Sequence, residues 1–127
     1  NNKHKTYWCR RSKLEIYIEE QVSFDFPKLE LICNDKEAIG SELDFYFPEL
    51  RFAIELNGIF HYEPIYGNDK LKRIQNNDKN KLIRCYEEGI ELAIIDSSQC
   101  KHLTQKAKDK YYGIVKELLS KIIRRSY

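Results

Sequence analysis

The stretch SELDFYFPELRFAIELNG, residues 41–58, holds two runs that alternate apolar and polar residues, with Pro48 between them. Alternation at period two marks a half-buried strand, and the Pro-Glu-Leu link marks a turn. The stretch therefore predicts a hairpin. Centring the turn on Glu49 and Leu50 sets Asp44 opposite Glu55, Glu42 opposite Asn57 and Tyr46 opposite Ala53. One face then carries Leu43, Phe45, Phe47, Phe52, Ile54 and Leu56, which makes it a core face. The other carries Glu42, Asp44, Tyr46, Ala53, Glu55 and Asn57, with acids within about 5 Å of one another. Carboxylates are poor strand formers, and like charges facing each other across a sheet destabilise it. Two readings are open. One is a solvated polar face. The other is a cation site, since no Lys or Arg interleaves with the acids on that face. Clustered hard oxygens suit Mg²⁺ (or Mn²⁺), with the remaining positions left to water and a substrate phosphate. That is the chemistry of metal-assisted phosphodiester hydrolysis.

Working outward, RSKLEIYIEEQV places Leu14, Ile16, Ile18 and Val22 behind Ser12, with Glu15 at capping-box spacing. A helix is expected over about 13–21, ended by FDFP. KLELIC reads as a strand and NDKEAIG as a turn. After the hairpin, GIFHYEPIYGN is a loop broken by Gly58, Pro64 and Gly67. A helix follows from Asp69 to about Glu88, with Leu71, Ile74, Asp78, Leu82 and Cys85 on one face and Gly89 at the C′ position. IELAIID is a strand apolar enough to be central. A last helix spans about 104–125, with Ala107, Tyr111, Ile114, Leu118 and Ile122 on its buried side. The order α-β-β-β-α-β-α predicts one α/β domain over 1–127, a mixed sheet with helices on its faces and a right-handed β-α-β step.

Composition narrows the function classes. The 127 residues are 42% hydrophobic and 33% charged, and the net charge of +2 gives no polycation signal. No apolar run nears the ~18–20 residues of a membrane span, and no targeting signal is visible. The chain starts at Asn1 and lacks Met, so it reads as a processed product or one domain of a longer protein. Charge is uneven. KHKTYWCRRSK, with Arg10, Arg11 and Lys13, and KIIRRSY are basic segments that either hold phosphate or are simply solvated. Cys9, Cys33, Cys85 and Cys100 show no close spacing and read as reduced thiols of an intracellular protein. His4 with Cys9 could form half of a zinc site. The YY, LL and II pairs of the last helix offer apolar area for a homodimer, and the aromatic loop 59–68 offers contacts to bases.

SELD (41–44), IELNGIFH (54–61), NDKNK (77–81) and GIEL (89–92), taken as a set, resemble the PD-(D/E)xK nuclease superfamily. They are similar in particular to its very-short-patch-repair-like (Vsr-like) and homing endonuclease group. The resemblance covers about residues 11–96 and leaves the last helix as a family-variable addition. It implies a restriction-endonuclease-like α-β-β-β-α-β core and an Mg²⁺-dependent endonuclease that leaves a 5′-phosphate. DNA is the expected partner, with RNA not excluded. It implies Asp44 and Glu55 as metal-binding acids and a first-helix glutamate, Glu15 or Glu19, as a further ligand. Glu15 also fits a plain capping role. His61 would activate water, or else be a spacer between Phe60 and Tyr62. The chain departs from the pattern at Asn57, where the superfamily has its lysine. Some relatives supply that lysine from the following helix. Asp78 and Lys81 share a helix face at i, i+3, so Lys81 is the expected ammonium and Lys79 the runner-up. Arg10, Arg11, Lys13, Asn57 and Lys79 are the candidate nucleic-acid contacts. A non-catalytic nucleic-acid-binding module remains the alternative, favoured by Asn57.

Overall fold

The structure is a computed structural model that describes residues 3–7 and 11–126. Arg10 and Cys9 lie outside the described residues, and with them the expected phosphate contact of Arg10 and the His4–Cys9 pairing. The elements are β1 (His4–Thr6), α1 (Lys13–Asp25), β2 (Leu31–Asp35), β3 (Leu43–Phe47), β4 (Phe52–Asn57), α2 (Asn68–Glu87), β5 (Glu91–Asp96) and α3 (Gln105–Ser126). They form an α/β fold around one mixed open sheet with strand order β1-β2-β3-β4-β5. β1 is parallel to β2, β3 is antiparallel to both its neighbours, and β5 is parallel to β4.

The hairpin forms in the expected register, with Tyr46 opposite Ala53 and Phe47 opposite Phe52. Its turn is a 3₁₀ turn over Pro48–Leu50, closed by Arg51 in the left-handed region at φ 48°. Ser12 caps α1 as expected, its Oγ accepting from the Glu15 N–H at 3.1 Å. The helix runs through Asp25, longer than predicted, because nothing before Pro27 disfavours helical backbone. At the end of α2, Gly89 takes φ 71°. Its N–H donates to the Tyr86 carbonyl, and the Ile90 N–H reaches back to the Cys85 carbonyl at 2.8 Å. That is a Schellman motif, and the accompanying apolar contact joins Cys85 and Ile90 in one cluster. The Arg51 guanidinium donates to the Glu88 and Gly89 carbonyls, which ties the hairpin tip to the same helix end.

Both sheet faces are covered. Phe45, Phe47, Phe52 and Ile54 pack with Leu14, Ile18 and Val22 of α1 and with Tyr111, Tyr112, Val115, Leu119 and Ile122 of α3. The Tyr112 hydroxyl donates to Asp25 Oδ2 at 2.6 Å and fastens α3 to α1. On the opposite face a smaller cluster joins Ile39, Leu43, Tyr46, Ala53, Cys85 and Ile90 under α2.

Several expectations are corrected. β1 was not expected, since three residues carry no readable periodicity. β5 is an edge strand, with Ile94 40% exposed. Its apolarity reflects the helices over its faces, not strands on both sides. Leu43 belongs to the α2-side cluster, because the regular β3–β4 ladder begins only at Phe45. The buried face of α3 is rotated toward Tyr112, Val115 and Leu119, and Ile114 faces outward. The helix is thus part of the core and not an appendage, and its YY, LL and II pairs are largely buried within the chain, so they no longer argue for a homodimer. On α2 only Cys85 is fully buried, and Leu82 is 44% exposed. No helix among the described residues is long and apolar enough to cross a membrane.

Candidate active site

Asp44 and Glu55 come together at the open end of the hairpin, on the α2 face. The β3–β4 ladder runs from Phe47–Phe52 to Phe45–Ile54. Beyond it the carboxylates act as acceptors for the facing strand. The Asp44 N–H donates to Glu55 Oε2 at 2.5 Å, and the Leu56 N–H donates to Asp44 Oδ2 at 2.9 Å. Each acid therefore satisfies an amide that the opening ladder would leave unpaired. α2 lies across this end and sets Lys81 Nζ 2.5 Å from Glu55 Oε1. The side chains of that pair are only 20% and 5% exposed, which makes it a largely buried ion pair.

The charges are not fully balanced. Burial, then the Glu55 charge, then Glu15, push the Asp44 carboxyl well above the ordinary carboxylate range. Burial also raises Glu55, against the opposing pull of Lys81. Burial would depress the Lys81 ammonium, but the charge and hydrogen bond of Glu55, with Asp44 behind it, leave it above its usual value. Lys81 therefore stays charged at neutral pH. Asp44 Oδ1 takes no hydrogen bond from the described residues. Two carboxylates with one ammonium leave room for added positive charge, and the donor set is the hard-oxygen kind that Mg²⁺ or Mn²⁺ takes.

Beside the pair, the 3₁₀ turn Ile59–His61 presents His61, whose Nδ1 lies 2.8 Å from Asp78 Oδ2 on α2. Gln75 Nε2 donates to the His61 carbonyl at 3.2 Å and holds the turn. With Nδ1 turned to a carboxylate, Nε2 is the nitrogen left to accept a proton. Asp78 is close enough to the acids for its charge to act on Glu55 and Lys81. A groove of about 320 Å³ opens alongside, lined by Ser41, Glu42, Asn77, Asn80, Lys81 and Arg84.

Glu15 takes the capping role at the start of α1. Ser12 Oγ donates to its carboxylate at 3.2 Å, and its charge reaches Asp44. Glu19 points elsewhere, into contacts with Arg11, Thr6 and His4. Arg11 is correspondingly turned inward, with its side chain 9% exposed, and is not presented to a phosphate. Asn57 is buried in β4, opposite Asp96 of β5, so it too is withdrawn from the surface. Lys13 and Lys79 are exposed. Most of the other terminal basic residues named in the sequence are engaged, Lys3 with Glu49, Lys121 with Glu117 and Arg125 with Glu91.

Sequence reasoning underweighted the outer surface of α2. Lys70, Lys72, Arg73 and Lys79 are all exposed there. Next to them Phe60 and Tyr66 stack with centroids 5.1 Å apart, and Lys70 Nζ sits 5.5 Å over the Tyr66 ring. The signal was present in NDKLKRIQNNDKNK, which carries five basic residues and only two apolar ones, Leu71 and Ile74, and so leaves little apolar surface to bury. Comparison with family models, with curated proteins and with solved structures yields no match to this chain.

Proposed function

We propose that this chain is a metal-dependent endonuclease that hydrolyses phosphodiester bonds in DNA, as its resemblance to the PD-(D/E)xK superfamily and its Vsr-like group implies. The observation that carries the reading is the buried Asp44–Glu55 pair with Lys81 on Glu55, set beside the His61–Asp78 dyad. Asp44 and Glu55 would hold Mg²⁺ or Mn²⁺, with Glu15 at the margin. A divalent ion there supplies Lewis-acid polarisation of a phosphate oxygen and acidifies bound water. The protein's own groups divide the remaining work. Lys81, kept as an ammonium, cannot accept a proton at neutral pH, so it orients water and stabilises charge growing on the phosphate. His61, with Nδ1 held by Asp78, accepts the proton of the attacking water through Nε2. In-line attack would break the P–O3′ bond. Exposed Lys70, Lys72, Arg73 and Lys79 suit backbone phosphates, contacts that carry no sequence readout. The Phe60–Tyr66 stack offers aromatic faces to bases.

The test is a cleavage assay on plasmid, linear duplex, single-stranded DNA and RNA with Mg²⁺, Mn²⁺ or EDTA. Metal-dependent cleavage that disappears in Asp44→Ala is the expected result. His61→Ala should lower kcat by about 10²–10⁴-fold with the metal midpoint unchanged. Lys81→Ala should cost more than Lys79→Ala. Cleavage retained in Asp44→Ala removes the site assignment. One observation favours a second reading, a non-catalytic nucleic-acid-binding module: Lys81 already occupies a Glu55 oxygen that a metal would use. DNA binding without cleavage under any metal would select it.

A further inference from the structure

A second cluster of metal-ligating groups lies on the other side of the sheet from Asp44 and Glu55, where β1, α1 and β2 meet. His4 from β1, Glu19 from α1 and Cys33 from β2 offer a ring nitrogen, a carboxylate oxygen and a sulfur, all within 4.8 Å of one another. His4 Nε2 is the common neighbour. It contacts Glu19 Oε2, lies 3.9 Å from Cys33 Sγ and 2.9 Å from Thr6 Oγ1. We propose that His4, Glu19 and Cys33 form a structural zinc site that clips β1 onto α1 and β2.

The nitrogen, oxygen and sulfur donor set is that of zinc, whose bonds of roughly 2.0–2.3 Å would be made once His4 Nε2 and Glu19 Oε2, now in direct contact, part to admit the ion. The surrounding contacts are those that orient ligands. Ser23 Oγ lies 3.2 Å from His4 Nδ1, so the other ring nitrogen, Nε2, faces the cluster. Arg11 donates to Glu19 Oε1, while Oε2 accepts from the Thr6 hydroxyl and meets His4 Nε2. Thr6 Oγ1, 2.9 Å from His4 Nε2, stands beside the three donors as the group for the fourth position. Cys33 is fully buried and Glu19 nearly so, while the His4 side chain is 25% exposed and gives an ion a way in. On binding, the Cys33 S–H bond breaks, an S–Zn bond forms and the proton passes to solvent. β1 has the most to gain, since a three-residue edge strand has few ladder bonds of its own.

The chain, stripped of metal with chelator, is titrated with Co²⁺ and read by absorbance. The expected result is one equivalent of cobalt with a thiolate-to-cobalt charge-transfer band, displaced by Zn²⁺. Asp44→Asn and Cys85→Ser should keep the band, and Cys33→Ser and His4→Ala should lose it. Circular dichroism checks that the variants are folded. Should Cys33→Ser fail to fold, the more exposed His4→Ala and the wild-type titration still decide. Absence of the thiolate band in the wild-type chain overturns the proposal. So does a band that survives Cys33→Ser or vanishes in Cys85→Ser. The Asp44→Asn arm separates this site from the proposed nuclease metal, which has oxygen donors only.

Discussion

The two faces of the sheet use the same strands to different ends. On the α1 and α3 side, Phe45, Phe47, Phe52 and Ile54 pack into the larger apolar cluster. On the α2 side, the same alternation supplies Tyr46 and Ala53 to a small core and then, at the strand ends, Asp44 and Glu55. One face is closed over a large apolar core. The other is thinly covered by a helix whose only fully buried residue is Cys85. The difference teaches that a strand can serve stability with one parity and chemistry with the other, provided the chemistry sits where the ladder ends.

Substitutions on the two faces should therefore differ in size and in sign. Phe47→Ala, on the closed face, should destabilise by about 3–5 kcal/mol in urea unfolding, since it empties a fully buried site stacked on Phe52. A loss no larger than that of Cys85→Ala would abolish the contrast. Lys81→Met, on the thin face, should cost about 1–3 kcal/mol by leaving the buried Glu55 without its cation. Asp44→Asn should act in the opposite direction and stabilise by about 1 kcal/mol at neutral pH. A carboxyl whose value is higher folded than unfolded contributes stability that is complete below its unfolded value of about 3.9 and lost as pH rises through its folded value. The gain of Asp44→Asn over wild type should thus fade as pH is lowered from neutral toward 4. Melting temperatures across that range check it, and a gain that grows in acid would mean the pair is not strained by its own charge. Adding Mg²⁺ should raise the wild-type melting temperature and leave that of Asp44→Asn almost unmoved.

Local rules made the hairpin, the Ser12 cap and the Gly89 stop legible. Each depends on residues a few positions apart: a Pro-led turn between alternating runs, a serine three residues before a glutamate, and a glycine after a helical period. The pairing of Asp44 and Glu55 followed from the same register. What escaped depends on distant partners. β1 exists because β2 offers it an edge. Arg11 reads as a surface cation until Glu19 is placed opposite it. The α3 sequence allows two neighbouring stripes, and only packing on α1 chooses the one through Tyr112. The position of Lys81 on Glu55 could be expected only through the resemblance, since no local pattern links residues on β4 and mid-α2.

Arg51 gives the fold a fixed origin for measurement. Its side chain clamps the last carbonyls of α2 to the tip of the hairpin, so helix and strand start from one common point. From there α2 runs back about 10 Å to Lys81. The reach of the ammonium is thus set by a count of helical residues. One residue inserted between Lys81 and Glu88 would swing Lys81 by about 100° and advance it about 1.5 Å. The carboxylates would stay where they are while their counter-charge turned away, so the α2 segment after Lys81 should tolerate changes of residue far better than changes of length.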